Sequence, residues 1–256
     1  MDLKFEHGGI TNTQITKGTL MPTALITGAS AGLGQALAEA LARRHWHLVV
    51  DARGRDRLAA AAAALTSETT VDAYPGSVTD PRHRTELVTA VRRAGGLDLL
   101  VHNASELGGS PQPGLADLEA ATFAQVLDTN VGAPVQLTRQ LLPELASSGG
   151  TVLAISSDAA VEHYEGWGAY GASKAALDHV IGTFAVEHPS IRWYAVDPGD
   201  MRTQMHQAAF PDEDISDRPL PETVVPTLLR LLDLRPPSGR YRGADLAVDT
   251  TAVVHS

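Results

Sequence analysis

The sequence has no cysteine, no long apolar run and no cluster of basic residues. Without cysteine the chain forms no disulfide, uses no thiolate chemistry and binds no metal through sulfur. No apolar run approaches the length of a membrane-spanning helix. The formal net charge of −10 disfavours nucleic acid and anionic membranes as main partners. We therefore expect a soluble, cytoplasmic protein with no metal site, acting on a small molecule.

What the sequence does contain is a regular alternation of short apolar segments and helical patterns. Such alternation is typical of βαβ units with right-handed crossovers, and it predicts an α/β fold. We expect a doubly wound parallel sheet of the Rossmann type, with helices on both faces. The predicted strands are 24–27, 48–52, 70–74, 97–102, 151–156, 191–196 and 244–248. The predicted helices are 33–44, 56–65, 81–94, 115–127, 131–146, 168–187 and 221–232.

The first twenty residues do not share this pattern. We interpret residues 1–20 as an N-terminal arm and residues 21–256 as a single dinucleotide-binding catalytic domain. The chain shows no linker, repeat or low-complexity segment apart from the alanine run 59–64, which is a strong helix former.

A glycine-rich turn follows the first predicted strand. Gly28 permits a tight turn, Gly32 lets a phosphate approach the backbone, and Gly34 allows close packing of helix on strand. The helix that begins here offers free N–H groups and positive potential to a pyrophosphate. The alternative is a plain glycine-rich loop, which the position between strand and helix disfavours.

Tyr170 and Lys174 lie four residues apart in a predicted helix and therefore share one face, a turn from each other. An ammonium group beside a phenol favours the phenolate and lowers its pKa. A tyrosine tuned in this way can transfer a proton to or from a substrate oxygen. The pair alone is a weak signal, because a surface tyrosine with a solvated lysine has the same spacing.

Taken together, these motifs resemble the short-chain dehydrogenase/reductase family in its single-domain branch. The stretch Thr27-Gly28-x-x-x-Gly32-x-Gly34 matches the cofactor turn of that family. Asn130 matches its helix asparagine, and Ser157 precedes Tyr170 by the spacing of its catalytic serine. His102-Asn103-Ala104-Ser105 replaces the usual Asn-Asn-Ala-Gly, so the backbone beside the ribose is expected to differ. Pro198-Gly199 and Thr203 match the motif after the sixth strand.

The resemblance implies a catalytic set and a cofactor set. Tyr170 would exchange the proton with the substrate, Ser157 would stabilise the oxygen, Lys174 would lower the tyrosine pKa and hold the ribose, and Asn130 would position a water in a relay. The implied catalytic residues are Asn130, Ser157, Tyr170 and Lys174. The implied cofactor-binding residues are Thr27, Gly28, Ser30, Gly32, Leu33, Gly34, Arg53, Asn103, Ala104, Tyr170, Lys174, Pro198, Gly199, Met201 and Thr203.

Two residues after the second strand point to different cofactors. Arg53 is placed to accept a 2′-phosphate, whereas Asp51 is an acid at about the distance expected for a ribose 2′-hydroxyl contact. By resemblance the NAD-selecting acid would fall at Ala52. We favour NADP(H) and keep NAD(H) as the alternative. Ser77 stands where many relatives have an aspartate near the adenine.

The predicted function is hydride transfer between a nicotinamide and a carbonyl or secondary alcohol. The alternatives are a non-redox dehydratase or isomerase on the same fold, and a regulatory protein that binds the nucleotide without turnover. Substrate contacts are expected from Glu106-Leu107 and from 161–167 and 201–220, with structural packing an equal alternative for each residue. His163, Tyr164 and Trp167 are candidates for an aromatic wall, and Met205, His206 and Phe210 for a lid. By resemblance, helices 168–187 and 131–146 would form a homodimer or homotetramer.

Overall fold

The computed structural model describes residues 21–246, which form one seven-stranded parallel sheet with helices on both faces. The strands are β1 (Thr23–Ile26), β2 (His47–Ala52), β3 (Val71–Pro75), β4 (Leu99–His102), β5 (Thr151–Ile155), β6 (Arg192–Asp197) and β7 (Gly239–Arg242). The helices are α1 (Gly32–Ala42), α2 (Arg55–Leu65), α3 (Pro81–Arg93), α4 (Ala120–Leu127), α5 (Ala133–Ser148), α6 (Gly168–Glu187), α7 (Gln204–Ala209), α8 (Pro221–Leu234) and α9 (Gly243–Leu246). A π-helical turn, Asp128–Gly132, joins α4 to α5.

The strand order is β3-β2-β1-β4-β5-β6-β7, so the chain reverses direction across the sheet between β1 and β4. Loops that leave these two neighbouring strands run to opposite faces of the sheet and open a crevice at its carboxyl edge. The predicted α/β fold of the Rossmann type is therefore confirmed.

Two apolar layers hold the sheet between its helices, and the strand sequences explain both. Side chains of a strand alternate between faces, so Ala24 and Ile26 pack with α1 and α8, whereas Leu25 packs with α3, α5 and α6. Because both faces are covered, strands such as β4 and β5 are buried along their whole length.

Three elements differ from the sequence prediction. The helix expected over 115–127 begins only at Ala120, because Gly114 and Asp117 form a turn that places Leu115 against Gly168. The helices expected on either side of Asn130 are joined by the π-helical turn, which a simple 3.6-residue period does not reveal. The short helix α7 was not predicted.

The last strand was also wrongly placed. It was predicted at 244–248, but the structure has β7 at Gly239–Arg242 and helix α9 immediately after it. An edge strand has only one neighbour and tolerates charged side chains, so its sequence, Gly-Arg-Tyr-Arg, carries no apolar signal. Residues 1–20, the predicted arm, and residues 247–256 lie outside the described part of the chain, and the division into arm and domain stays a prediction.

Candidate active site

The glycine turn between β1 and α1 has the backbone that only glycine adopts easily. Gly28 and Gly32 have φ angles of 69° and 57°, in the left-handed region. At Gly34 a Cβ would lie 2.5 Å from the carbonyl oxygen of Gly28 and would also collide with the Asn103 side chain. These glycines let the chain turn sharply and pack helix α1 against β4, as the sequence predicted.

Thr27 and Asn103 fix this turn to the end of β4. The Thr27 hydroxyl donates to the carbonyl of Val101 and accepts from the N–H groups of Asn103 and Ala104, at 3.0 to 3.1 Å. The Asn103 amide donates to the carbonyls of Thr27 and Gly28, both at 3.0 Å. These hydrogen bonds hold the glycine turn against the end of β4 and so maintain the shape of the crevice.

A cavity of about 330 Å³ opens at the carboxyl edge of the sheet, above β1 and β4. Most of the predicted cofactor and catalytic residues line it. Those that do are Gly28, Ser30, Gly32, Leu33, Arg53, Asn103, Ala104, Ser157, Tyr170, Lys174, Pro198, Gly199, Met201 and Thr203. The lining does not include Thr27, Gly34 and Asn130. These residues support the segments that form it.

Helix α6 carries Tyr170 and Lys174 in its first two turns, both facing inward. Tyr170 is 8% exposed and Lys174 is 2% exposed. The Lys174 Nζ lies 5.4 Å from the centre of the Tyr170 ring and donates a 2.7 Å hydrogen bond to the carbonyl of Ile155. The amine is therefore anchored to the end of β5, beside the phenol.

The expected effect of Lys174 on the phenol is not what the structure shows. Burial raises the pKa of Tyr170 well above its usual value, and hydrogen bonds from Ser105 and Ser157 lower it only in part. Burial also lowers the pKa of Lys174 to about 8, although the charge of Asp178 opposes this. A buried phenol with a high pKa stays protonated, which suits a proton donor.

Ser157 lies two residues after the end of β5 and immediately before a short 3₁₀ turn, Asp158–Ala160. Its hydroxyl donates to the Asp158 carboxylate at 2.9 Å and accepts from the N–H of Ala159 at 3.2 Å. The hydroxyl of Ser156 is buried and has no hydrogen-bond partner among the described residues. Of this pair, Ser157 is the serine whose hydroxyl lowers the pKa of Tyr170, and its assignment as the catalytic serine stays a prediction.

Asn130 lies in the π-helical turn, 1% exposed. Its amide nitrogen donates to the carbonyl of Glu106 and to the hydroxyl of Ser173, and its oxygen accepts from the Glu106 N–H and the Ser105 hydroxyl. Every polar group of this side chain is thus satisfied by protein. The side chain supports the loop after β4, so a water in a proton relay would need the main chain at this turn instead.

Asp51, near the end of β2, and Arg53, just after it, differ in how far their side chains can contact a ligand in the cavity. Asp51 is 1% exposed and is held on both oxygens, by the Gly28 N–H at 3.1 Å and by the ring of His83 at 3.0 Å. Arg53 has a side chain 69% exposed that reaches Glu106 at 3.1 Å. Both oxygens of Asp51 are therefore already engaged by protein groups, whereas most of the Arg53 side chain is exposed beside the cavity. Arg57 lines the same end of the cavity.

The loop after β6 closes the cavity from the other side. Gly199, with φ of 78°, donates its N–H to the Asp197 carboxylate at 3.0 Å, which turns the chain. Thr203 caps helix α7 by accepting from the N–H of His206 at 3.0 Å. Its methyl group lies 3.4 Å from where a Cβ on Gly32 would stand, so the two loops nearly meet.

The substrate residues considered from the sequence divide into two groups. Trp167, Met205, His206 and Leu107 line the cavity. Phe210 packs behind this wall, against Trp167 and His206, with ring centres 5.5 and 4.9 Å apart. Tyr164 is 48% exposed and donates to Asp158, and His163 is exposed, so neither contributes to the lining.

Several residues that shape the site were missed by the sequence analysis. Ser105 contacts the Tyr170 hydroxyl, and Asp158 accepts from Ser157. Arg240 of β7 donates to the carbonyl of Ser157 at 3.0 Å and to Asp178 at 2.9 Å. His83 holds Asp51. Apart from the contact between the adjacent residues Ser157 and Asp158, these contacts join segments that meet only in the folded chain, so no local pattern identifies them.

Between residues 21 and 246, no group of three or more His, Asp or Glu side chains is arranged to hold a metal ion. In the same range, no helix combines the length and the apolar character needed to cross a bilayer.

Comparison with known proteins gives a consistent result. Residues 22–214 match the short chain dehydrogenase family. Dehydrogenase/reductase SDR family member 4 of Bos taurus is 34% identical over 199 residues, covering 74% of this chain and 69% of that protein. A Saccharomyces cerevisiae protein named benzil reductase ((S)-benzoin forming) is 33% identical, with 72% of this chain and 73% of that protein covered.

Solved structures show the same fold. A short chain dehydrogenase from Shigella flexneri complexed with NADP has a TM-score of 0.81 and 28% identity, covering 88% of this chain and 98% of its own. An alcohol dehydrogenase from Thermococcus sibiricus complexed with 5-hydroxy-NADP has a TM-score of 0.78, also with 28% identity, covering 87% of this chain and 95% of its own. From its sequence match, its sheet order and its relatives, the chain belongs to the short-chain dehydrogenase/reductase family of enzymes.

Proposed function

We propose that this protein is an NADP(H)-dependent oxidoreductase that transfers a hydride between nicotinamide and a carbonyl or secondary alcohol. The observation that carries the proposal is that Ser157, Tyr170 and Lys174 open into the same cavity as the glycine turn. A dinucleotide bound over that turn would extend along the cavity toward the phenol.

The glycine turn fits such a cofactor on the shape of its backbone. Gly32 has left-handed φ, and helix α1 begins at this residue with no side-chain cap on its N-terminus. Its free N–H groups are available to a pyrophosphate. The bound cofactor would supply the hydride, which is chemistry that no side chain provides.

The side chains of the cavity have separate roles in this mechanism. Tyr170, protonated because it is buried, donates its proton to the carbonyl oxygen as the carbon is reduced. Ser157 hydrogen-bonds the same oxygen while negative charge grows on it. Lys174, anchored on Ile155, holds ribose hydroxyls and keeps positive charge near the phenol. Asn130 keeps the Glu106 loop in place, and a relay water would bind the main chain beside it.

NADP(H) is favoured over NAD(H) by the residues after β2. Arg53 is exposed at the cavity, while both oxygens of Asp51 are engaged by Gly28 and His83. Two relatives of known structure are complexed with NADP or a derivative of it, which agrees with this choice. An NAD-dependent dehydrogenase remains the alternative, and it predicts tighter binding of the unphosphorylated cofactor.

The test is oxidation of NADPH, followed at the nicotinamide absorbance band, with a panel of ketones, aldehydes and diketones. The panel includes benzil, since one relative is named for reducing it. Tyr170→Phe should lower kcat by about 10²- to 10⁴-fold, the usual contribution of a general acid. Tyr74→Phe is the matched control, because Tyr74 lies at β3, outside the cavity lining.

Two results would contradict the proposal. One is a reductase activity that Tyr170→Phe leaves unchanged. The other is an unchanged Tm when NAD, NADH, NADP or NADPH is added. Proton transfer on a substrate without any change in nicotinamide absorbance would favour the dehydratase or isomerase alternative. Binding of cofactor without turnover of any substrate would favour a regulatory protein.

We also propose a homodimer or homotetramer formed through α5 and α6. The outer face of α6 exposes small and apolar side chains, including Ala172, Ala175 and Val186. Light scattering at several protein concentrations would measure the mass, and replacing Val186 by Glu should lower it to that of a monomer.

The expected partner is a small-molecule carbonyl or alcohol, with no nucleic acid or membrane, and a cytoplasmic location stays a prediction from composition.

A further inference from the structure

We propose that the end of the cavity beyond Tyr170 binds an uncharged aromatic group of the carbonyl substrate, with Trp167 and His206 as the residues that select it. This inference rests on the proposed hydride transfer at Tyr170 and names the substrate class for that reaction.

The aromatic wall begins at the phenol itself. The Trp167 ring meets the Tyr170 ring edge to face, with centres 5.6 Å apart and planes at 79°. Phe210 packs on the other side of the indole, 5.5 Å away, and fixes its orientation. A group attached to the reacting carbonyl carbon would therefore lie next to Trp167. Pairing of two aromatic rings favours an aryl group over a saturated ring of the same size by about two- to tenfold.

The charges of the cavity exclude an anionic substrate from this end. Among the described residues that line it, Asp158 and Asp200 lie on the side of Ser157 and His206. Arg53 and Arg57 belong to the segment after β2, beside the glycine turn. Lys174 donates to the carbonyl of Ile155 behind the phenol. A carboxylate on the substrate would meet Asp158 and Asp200 here, because the two arginines near this end are already paired with aspartates. Arg218 lies beside Asp200 and Asp217, and Arg240 beside Asp178 and Asp197.

His206 contributes a polar ring nitrogen to this otherwise apolar end of the cavity. Its Nε2 is buried and has no hydrogen-bond partner among the described residues. The ring lies against Phe210, 4.9 Å between centres, and its Nδ1 is 3.9 Å from Asp200. In the tautomer that carries its proton on Nε2, the ring would donate a hydrogen bond to an oxygen that the substrate brings to it. A second oxygen near the reacting carbonyl, as in an aryl 1,2-diketone, would accept this hydrogen bond.

The test compares kcat/KM with NADPH for matched substrates. Acetophenone should be reduced faster than cyclohexyl methyl ketone, and 1-phenyl-1,2-propanedione faster than either. Phenylglyoxylate, the corresponding carboxylate, should be the poorest. Because these carbonyls differ in intrinsic reactivity, the decisive quantity is the change in each ratio between variant and wild type.

Trp167→Leu should reduce the ratio of acetophenone to cyclohexyl methyl ketone by about two- to tenfold, mainly through KM. Trp46→Leu is the same change at a tryptophan that packs on the core outside the cavity, and it should leave the ratio unaltered. His206→Phe keeps a ring but removes the nitrogen, so it should reduce the preference for the dione over acetophenone by about tenfold.

Failure of this inference differs from failure of the proposed function. If carbonyls are reduced but Trp167→Leu leaves the ratio of acetophenone to cyclohexyl methyl ketone unchanged, the aromatic subsite is wrong and hydride transfer stands. If Trp167→Leu and Trp46→Leu change the ratios equally, the indole does not select the substrate. If nothing is reduced, the subsite can still be tested by calorimetric titration of acetophenone into protein with bound NADP⁺. Equal affinity of the wild type and Trp167→Leu for acetophenone would overturn the subsite.

Discussion

Replacing His83 by Leu should destabilise the protein strongly. His83 and Asp51 form a buried pair, 4% and 1% exposed, with 3.0 Å between Nε2 and Oδ2. The other oxygen of Asp51 accepts the N–H of Gly28 in the cofactor turn. Removing the imidazole therefore leaves a carboxylate in the interior with one remaining partner, directly below the glycine turn.

The size of the effect follows from this geometry. Two unit charges at 3.0 Å attract each other by about 5 kcal/mol at an effective dielectric constant of about 20. Desolvation of both groups consumes much of that energy, but removing one partner of a buried pair costs about 3–5 kcal/mol, because the remaining charge is left uncompensated. For a chain of this size such a loss lowers Tm by roughly 10 °C.

The destabilisation should depend on pH. Burial lowers the pKa of His83, but the hydrogen bond and charge of Asp51, helped by Glu86, outweigh it and raise that pKa above 6.5. The stabilising contribution of His83 is thus fully present below pH 6.5 and is lost as the pH rises through the raised value. In the variant, burial outweighs the hydrogen bond from the Gly28 N–H and raises the pKa of Asp51. The cost of its buried charge is therefore absent below about pH 4 and appears as the pH rises through the raised value.

Urea unfolding of wild type and variant between pH 5 and 8 measures both effects. His47→Leu is the matched control, because His47 contacts Asp72 at 2.9 Å in a pair whose aspartate is 45% exposed. Such a pair contributes about 1 kcal/mol or less. Equal losses in the two variants would refute the argument from burial. The double variant Asp51→Asn, His83→Leu should recover part of the loss, since no charge is then left in the interior.

The remaining predictions concern the cofactor and the buried amine. Arg53→Ala should raise the Kd of NADPH by about ten- to hundredfold and leave that of NADH nearly unchanged, measured by calorimetry; equal losses for both cofactors would contradict recognition of a 2′-phosphate. Gly34→Ala should lower the free energy of unfolding by about 1–3 kcal/mol, because its Cβ meets a backbone carbonyl that cannot move. Lys174→Met should abolish turnover. Because the pKa of Lys174 is lowered to about 8 from 10.5, wild-type stability should rise relative to this variant as the pH increases from 8 to 10, by a total approaching about 3 kcal/mol.

Local patterns predicted the parts of the site that local chemistry determines. The left-handed φ of Gly28 and Gly32 needs glycine, so these positions can be recognised from the sequence. The spacing of Tyr170 and Lys174 follows from one turn of helix, and it places both side chains in the cavity. The fold followed in the same way, since strand and helix periods alternate along the chain.

Contacts between distant segments could not be predicted in this way. Asp51 was considered as a ribose ligand because of its position after β2, yet His83, 32 residues away, occupies its outer oxygen. Asn130 was considered for a water, yet its amide is used by Glu106 and Ser173. In both cases the residue type and its position were as expected, and a partner from another element changed what the side chain is free to do.

The polar edge strand β7 shows why the least predictable element still matters for the site. Arg240 pairs with Ala195 in the sheet and extends its guanidinium toward the catalytic edge. There it donates to the carbonyl of Ser157 and to Asp178, one turn after Lys174 on α6, and lies 3.8 Å from Asp197. One arginine thus joins the loop that carries Ser157, helix α6 and the loop after β6. An apolar residue at this position would give a clearer strand signal, but it would leave those three segments without a common support.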